Sequence, residues 1–257
     1  VFICHNIVPH EMAPVLLRLV RFVLGSADRL VVHSSASARQ ARALLGEDVP
    51  LTTLYLPLHD FFCAPQEHPK VWKQNERLNL LFFGTVRKYK GIDLLLQAMP
   101  LVLQKLPQTR LTIAGEIFYD RMPARMFCWG RRELEALIKK YSLQDSVSLD
   151  LRYLPDAEIA ELFRRSDLVV FPYRGVSQSG SLTTAYSFGR PVVASAVDGL
   201  LDVVVDGESG YLFQPGDAAS LAQAILRFAA VPIPPAKVQE AARKLSWANY
   251  VSSVLGR

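Results

Sequence analysis

The chain has 257 residues, 50% of them hydrophobic and 21% charged, a balance that supports a packed core and excludes a disordered chain. Its net charge of +5 comes from basic residues interspersed with acidic ones, which fits a solvated surface and equally basic residues that face anionic phosphates or an anionic membrane surface; nucleic acid is not among the expected partners. Cys4, Cys63 and Cys128 lie far apart without paired spacing, so neither a disulfide framework nor a zinc site is indicated, and a reducing, cytoplasmic setting fits.

Taken in order, the first elements are a strand over Val1 to Cys4, a helix near Ala13 to Leu24, a strand over Arg29 to His33, a helix over Ser35 to Leu45 and a strand over Leu51 to Leu54. Arg18 and Arg21 interrupt the longest early apolar stretch, which therefore falls short of the roughly 18 residues of a membrane span. VFICHN reads as a buried strand entering a polar turn with nothing ahead of it, and the expectation is a missing N-terminal portion, cut away or carried on a partner chain. From Leu56 to Asn79 the pattern dissolves into a proline-rich polar stretch.

A second alternation then runs through strand Leu78 to Phe83, helix Gly91 to Lys105, strand Arg110 to Ala114, helix Arg131 to Tyr141 and strand Val147 to Leu151. It continues with helix Asp156 to Arg165, strand Leu168 to Phe171, helix Ser181 to Phe188, strand Pro191 to Ser195 and a final helix from Ala218. Short apolar strands separated by amphipathic helices imply α/β architecture, a doubly wound, Rossmann-like parallel sheet covered on both faces. The expected division is 1–60, a linker at 61–77, the main unit at 78–244 and a closing helix at 245–257. In such sheets ligands bind beyond the carboxyl ends of the strands, where strand order reverses, so the chemistry belongs in strand-to-helix turns.

Three turns qualify. Gly84 and Gly91 bound TVRKYK, holding Arg87 and Lys90 beside a helix start, an arrangement suited to an anion and equally to a solvated loop with structural glycines. The stretch Gln178, Ser179, Gly180, Ser181, Leu182 opens the next helix, where exposed amides and the helix dipole favour phosphate oxygens, or simply a capped helix. In HNIVPHE, His5, Asn6, His10 and Glu11 follow the first strand as acid, base or hydroxyl-binding groups, with helix capping or metal ligation as alternatives. Smaller signals are Glu116 after RLTIAG, suited to a ligand hydroxyl, and Tyr153 in LRYLPD, suited to stacking on a base; a turn carboxylate and a partly buried aromatic are the commoner outcomes.

In order, FFGTVRKYKGIDLLLQA, LTIAGE, KKYSLQDSVSLDLRYLPDAEIAELFRRSDLVVFPY, GRPVVASAVDGLLDVVVDGESGYLFQPGDAASLAQAI and LSWANY resemble the family-four glycosyltransferases, retaining enzymes of GT-B fold. The resemblance covers nearly the whole chain. It implies a GT-B C-terminal domain with a remnant of the N-terminal Rossmann-like domain, and a last helix from Trp247 that crosses back onto that remnant. Arg87 and Lys90 are then expected to neutralise the donor diphosphate, assisted by the amides of Gln178 to Leu182, while HNIVPHE faces the transferred sugar. Asp217 is expected to cap a helix. Two glutamates that many members carry eight positions apart fall here on Val176 and Thr184, as in a subset with an SQSG loop.

The resemblance implies a sugar transferase that uses a nucleotide diphosphate sugar as substrate, without a cofactor or bound metal. Its acceptor is a saccharide or lipid-linked hydroxyl in polysaccharide or glycolipid synthesis, and the setting is the cytoplasm or the inner face of the cytoplasmic membrane. The lost glutamates and the abrupt start leave a second reading, a non-catalytic nucleotide-sugar module or a subunit completed by a separate N-terminal chain.

Overall fold

The computed structural model describes residues 1–5, 7, 14–59, 71–74, 76–117 and 127–255, with backbone alone at 14–16. The first strands are β1 (Phe2–Cys4), β2 (Leu30–Val32) and β3 (Leu51–Thr53), a parallel sheet in the order β1-β2-β3. Helix α1 (Pro14–Gly25) joins β1 to β2, and α2 (Ser35–Leu45) joins β2 to β3. Leu30, Val31 and Val32 are fully buried because β2 is the middle strand. The start of α2 follows from Ser34, whose hydroxyl accepts from the Ser37 amide, and its end from Gly46 at φ +111.

The second sheet comprises β4 (Asn79–Phe83), β5 (Arg110–Ala114), β6 (Val147–Asp150), β7 (Leu168–Phe171), β8 (Val192–Ser195) and β9 (Gly210–Phe213). All pairings are parallel and the order is β6-β5-β4-β7-β8-β9. Chain order therefore reverses between β4 and β7, and the crevice at their carboxyl ends is where this topology places a ligand. Asp167 fixes the opposite ends of the same two strands, accepting from the Asn79 amide at 2.8 Å and its side-chain nitrogen at 2.9 Å.

The crossover helices are α3 (Ile92–Lys105), α4 (Arg131–Lys140), α5 (Asp156–Arg165), α6 (Gly180–Ser187), the short α7 (Asp198–Leu201) and α8 (Ala218–Ala230), followed by α9 (Pro235–Ala242) and α10 (Trp247–Leu255). One face is covered by α3, which touches both α8 and α4. The right-handed crossover rule puts α5 and α6 on the other face. There Phe163 of α5 meets Phe83 edge-on at 5.2 Å and stacks on Phe188 at 5.2 Å. Asp217 caps α8 as its context predicts, accepting from the amides of Ala219 and Ser220.

Strand β9 and helices α7 and α9 go beyond the elements expected from the pattern. In the irregular stretch after β3, Trp72 is buried, 5.9 Å from Phe228, and Leu58 exchanges hydrogen bonds with the chain's closing segment: its amide with the Leu245 carbonyl, its carbonyl with the Trp247 indole. Helix α10 then lies against the small sheet, where Arg29 donates to the Val254 carbonyl and Tyr250 stacks on His33 at 6.0 Å.

Candidate functional site

A pocket of about 390 Å³ opens at the carboxyl ends of β4 and β5 and the start of α6. Of the residues expected to bind a donor, Gly84, Lys90, Glu116, Tyr153, Gly180, Ser181 and Thr184 line it together. His59, Arg152 and Leu154 are also in the wall without having been singled out in the sequence, beside Phe83, Thr85, Gly115 and Ile159.

The turn after β4 explains the position of Lys90. Gly84 has φ +132, and a Cβ there would come within 2.6 Å of Lys90 Nζ and 3.0 Å of Ser181 Oγ. The absent side chain thus lets the ammonium and the start of α6 converge on one point. A 3-10 turn over Lys88–Lys90 ends at Gly91, whose φ of +69 and close approach to the Pro172 carbonyl admit no side chain. Lys90 is 8% exposed, its ammonium 5.5 Å from the face of Tyr173, and has no carboxylate partner among the described residues. Burial lowers its pKa, an effect that the nearby Arg87 reinforces and Tyr89 opposes. Arg87 itself is exposed and does not line the pocket; its backbone bridges to Cys128.

The second turn is more finely divided than its sequence suggests. Ser179 is the N-cap of α6, and its carbonyl and hydroxyl take up the Leu182 amide. Leu182, expected to offer that amide to an anion, is instead committed to the cap, with its side chain in the core. Among the described residues, the amides of Gly180 and Ser181 have no acceptor in the fold. The Tyr173 hydroxyl faces Ser179 and Ser181 without a well-formed hydrogen bond to either, and burial pushes its pKa up to about 12.

Thr184 donates to the Gly180 carbonyl at 2.9 Å, so its hydroxyl oxygen remains to accept from His59 Nδ1 at 3.0 Å. His59 arrives from the stretch after β3, and a Cβ on Gly180 would come within 2.9 Å of its ring. Val176, at the other position where a glutamate is expected, packs against the core and offers its carbonyl to the Gly199 amide at 3.1 Å. Tyr153 is 71% exposed and lines the pocket, a correction to the partly buried aromatic that is the commoner outcome for such a residue.

Gln178 lies outside this pocket and joins the two sheets. Its amide nitrogen donates to His5 Nδ1 and to the His5 carbonyl, both at 3.1 Å, while its buried carbonyl oxygen has no hydrogen-bond partner among the described residues. The His5 ring sits 4.9 Å from that of His33. His33 is 3% exposed, its Nδ1 is 2.8 Å from the Leu54 carbonyl, and burial lowers its pKa. Asn6, His10 and Glu11 lie outside the described residues. Further contacts across the cleft are Ser35, whose amide and hydroxyl each donate to Asp202 at 2.7 Å, and Arg39 paired with Asp198 at 2.9 Å.

Comparison with known proteins adds to this geometry. Residues 77–230 match the family model described as Glycosyl transferases group 1. A D-inositol 3-phosphate glycosyltransferase of Geodermatophilus obscurus is 32% identical over 214 residues, 79% of this chain and 46% of that protein. One from Mycobacterium bovis is 30% identical over 250 residues, 91% of this chain and 48% of that protein. The chain thus spans about half the length of the curated relatives it matches. Among solved structures, HepE of Anabaena in complex with UDP aligns with a TM-score of 0.78 at 19% identity, covering 99% of this chain and 71% of that one. Sucrose-phosphate synthase from Thermosynechococcus elongatus gives 0.72 at 22% identity, covering 96% and 61%. These are GT-B glycosyltransferases, and the likeness shows the shared fold.

Proposed function

The chain belongs to the group 1 glycosyl transferases, and from that membership we propose that it carries the donor-binding half of an enzyme that moves a sugar from a nucleotide diphosphate sugar to a hydroxyl acceptor, with retention, in the family-four manner. The observation that carries the reading is Lys90: a buried ammonium with no carboxylate partner among the described residues, held between Gly84 and Ser181 at the point where strand order reverses. A buried cation without a counter-ion is costly unless a ligand supplies the charge, and a diphosphate does so.

In this reading Lys90 and the two uncommitted amides of α6 stabilise the charge that develops on the departing diphosphate, and they are in place before the bond breaks. Arg87, exposed and outside the pocket lining, contributes long-range attraction rather than a buried contact. Tyr153 offers an aromatic face to the base and Glu116 a carboxylate to a hydroxyl. Thr184 and Val176 in place of two glutamates make this the SQSG-type variant, with neutral groups around the donor sugar. His5, held by Gln178, faces the transferred sugar, and the resemblance of HNIVPHE to the family supports the same role for Asn6, His10 and Glu11.

The acceptor is a saccharide or a lipid-linked saccharide, as in polysaccharide or glycolipid synthesis, and further strands from an N-terminal domain or partner chain complete its site. The exposed Phe2 and Ile3 of the edge strand β1 support that completion. The UDP held by HepE makes UDP the first nucleotide to test. Calorimetric titration with UDP, GDP and ADP should show saturable binding of one of them. Lys90→Ala should weaken it by about 1.5–3 kcal/mol, the range for hydrogen bonds to a charged group, and Arg87→Ala by about 1 kcal/mol or less. A folded Lys90→Ala protein that binds as tightly as its parent sinks the assignment.

A further inference from the structure

Helix α1 turns one face to the protein and a chemically distinct face to solvent. Leu17, Val20 and Leu24 are half-buried at helical spacing, and Leu24 packs on the small core. The opposite side carries Leu19, Phe22 and Val23, exposed to 55%, 78% and 43%. Arg18 and Arg21 stand exposed along one flank of that patch, since i, i+3 and i, i+4 neighbours share a helix surface. No acidic residue occurs between Glu11 and Asp28.

We propose that this face of α1 is a docking surface for an anionic lipid bilayer. Phe22, Leu19 and Val23 enter the boundary between headgroups and acyl chains, and Arg18 and Arg21 meet the lipid phosphates. An apolar strip flanked by arginines and free of carboxylates complements both parts of such an interface. The helix has 12 residues and is about 18 Å long, well short of the roughly 30 Å of hydrocarbon that a spanning helix must cross. Among the described residues no helix is long and apolar enough to cross a membrane, so contact along the surface is the geometry available. The inference rests on the sugar-transfer reading for its purpose, bringing the His5 side of the cleft to a lipid-linked acceptor, but its test does not.

The test is co-sedimentation of the chain with phosphatidylcholine vesicles containing about 30% phosphatidylglycerol, against vesicles of phosphatidylcholine alone. The parent should bind the anionic vesicles and lose binding as salt rises. The double variant Arg18→Gln/Arg21→Gln should bind them roughly 25-fold more weakly, about fivefold per arginine, and Leu19→Ser/Phe22→Ser should abolish sedimentation. Circular dichroism melts and UDP titration run on the same variants report folding and the donor site. Lost vesicle binding with an unchanged melt supports the docking surface whether or not UDP binds, and lost UDP binding in the parent counts against the donor reading alone. Absence of parental vesicle binding, or equal binding by the Leu19→Ser/Phe22→Ser protein, overturns the proposal. So does a parental dimer that this variant converts to monomer without any vesicle binding, which would make the patch a protein contact.

Discussion

Lys90 shows how one residue's environment fixes both its task and its pH range. Burial lowers its pKa from the ordinary value, so the free protein loses this positive charge at a lower pH than an exposed lysine would. A diphosphate favours the charged form, and its affinity should therefore fall as pH rises through the lowered pKa, with proton uptake on binding in that range. Lys90→Arg keeps the charge at every accessible pH and should flatten the fall, which calorimetry from neutral to alkaline pH measures. The glycine-bounded turn made Lys90 legible in the sequence, because only glycine suits Gly84 and Gly91. His59 was not legible. It comes from an irregular stretch, and only the folded chain brings it to Thr184. Leu182 was misread for a related reason: amides at a helix start look alike in sequence until a cap such as Ser179 claims one.

Among the elements, those with several apolar residues at regular spacing were readable. The strands Arg110–Ala114 and Leu168–Phe171 and the helices Ser35–Leu45 and Asp156–Arg165 agree with the pattern at both ends. Strand β9 was missed because GYLF is short and its first residue, Gly210, has no side chain to show alternation; a Cβ there would strike the Val192 carbonyl at 2.5 Å. Helix α7 covers four residues, too few for a period to appear. Helix α8 has an explicit start signal, and Asp217→Ala should cost about 1 kcal/mol by leaving two first-turn amides without their acceptor. For a chain of this size that corresponds to a fall of roughly 2–4 °C in Tm, readable by calorimetry, with UDP affinity unchanged.

At the scale of the whole molecule, the small sheet is tied to the large one by a few polar contacts. Asp202 places a carboxylate at the start of α2, where the amide and hydroxyl of Ser35 and the helix dipole all favour negative charge. Asp202→Ala should therefore cost about 1.5–3 kcal/mol, with urea unfolding as the measurement. Arg39→Ala, whose pair with Asp198 is exposed, should change stability by about 0.5 kcal/mol or less. The returning helix α10 joins far-separated parts of the chain: Trp247 to Leu58 across 189 positions, and Arg29 to Val254 across 225. During synthesis on the ribosome, β1 to β3 emerge well before α10, the helix that covers them. Until it arrives, the nascent small sheet exposes apolar surface that its own neighbours do not shield, and that interval is when the protein would need a chaperone.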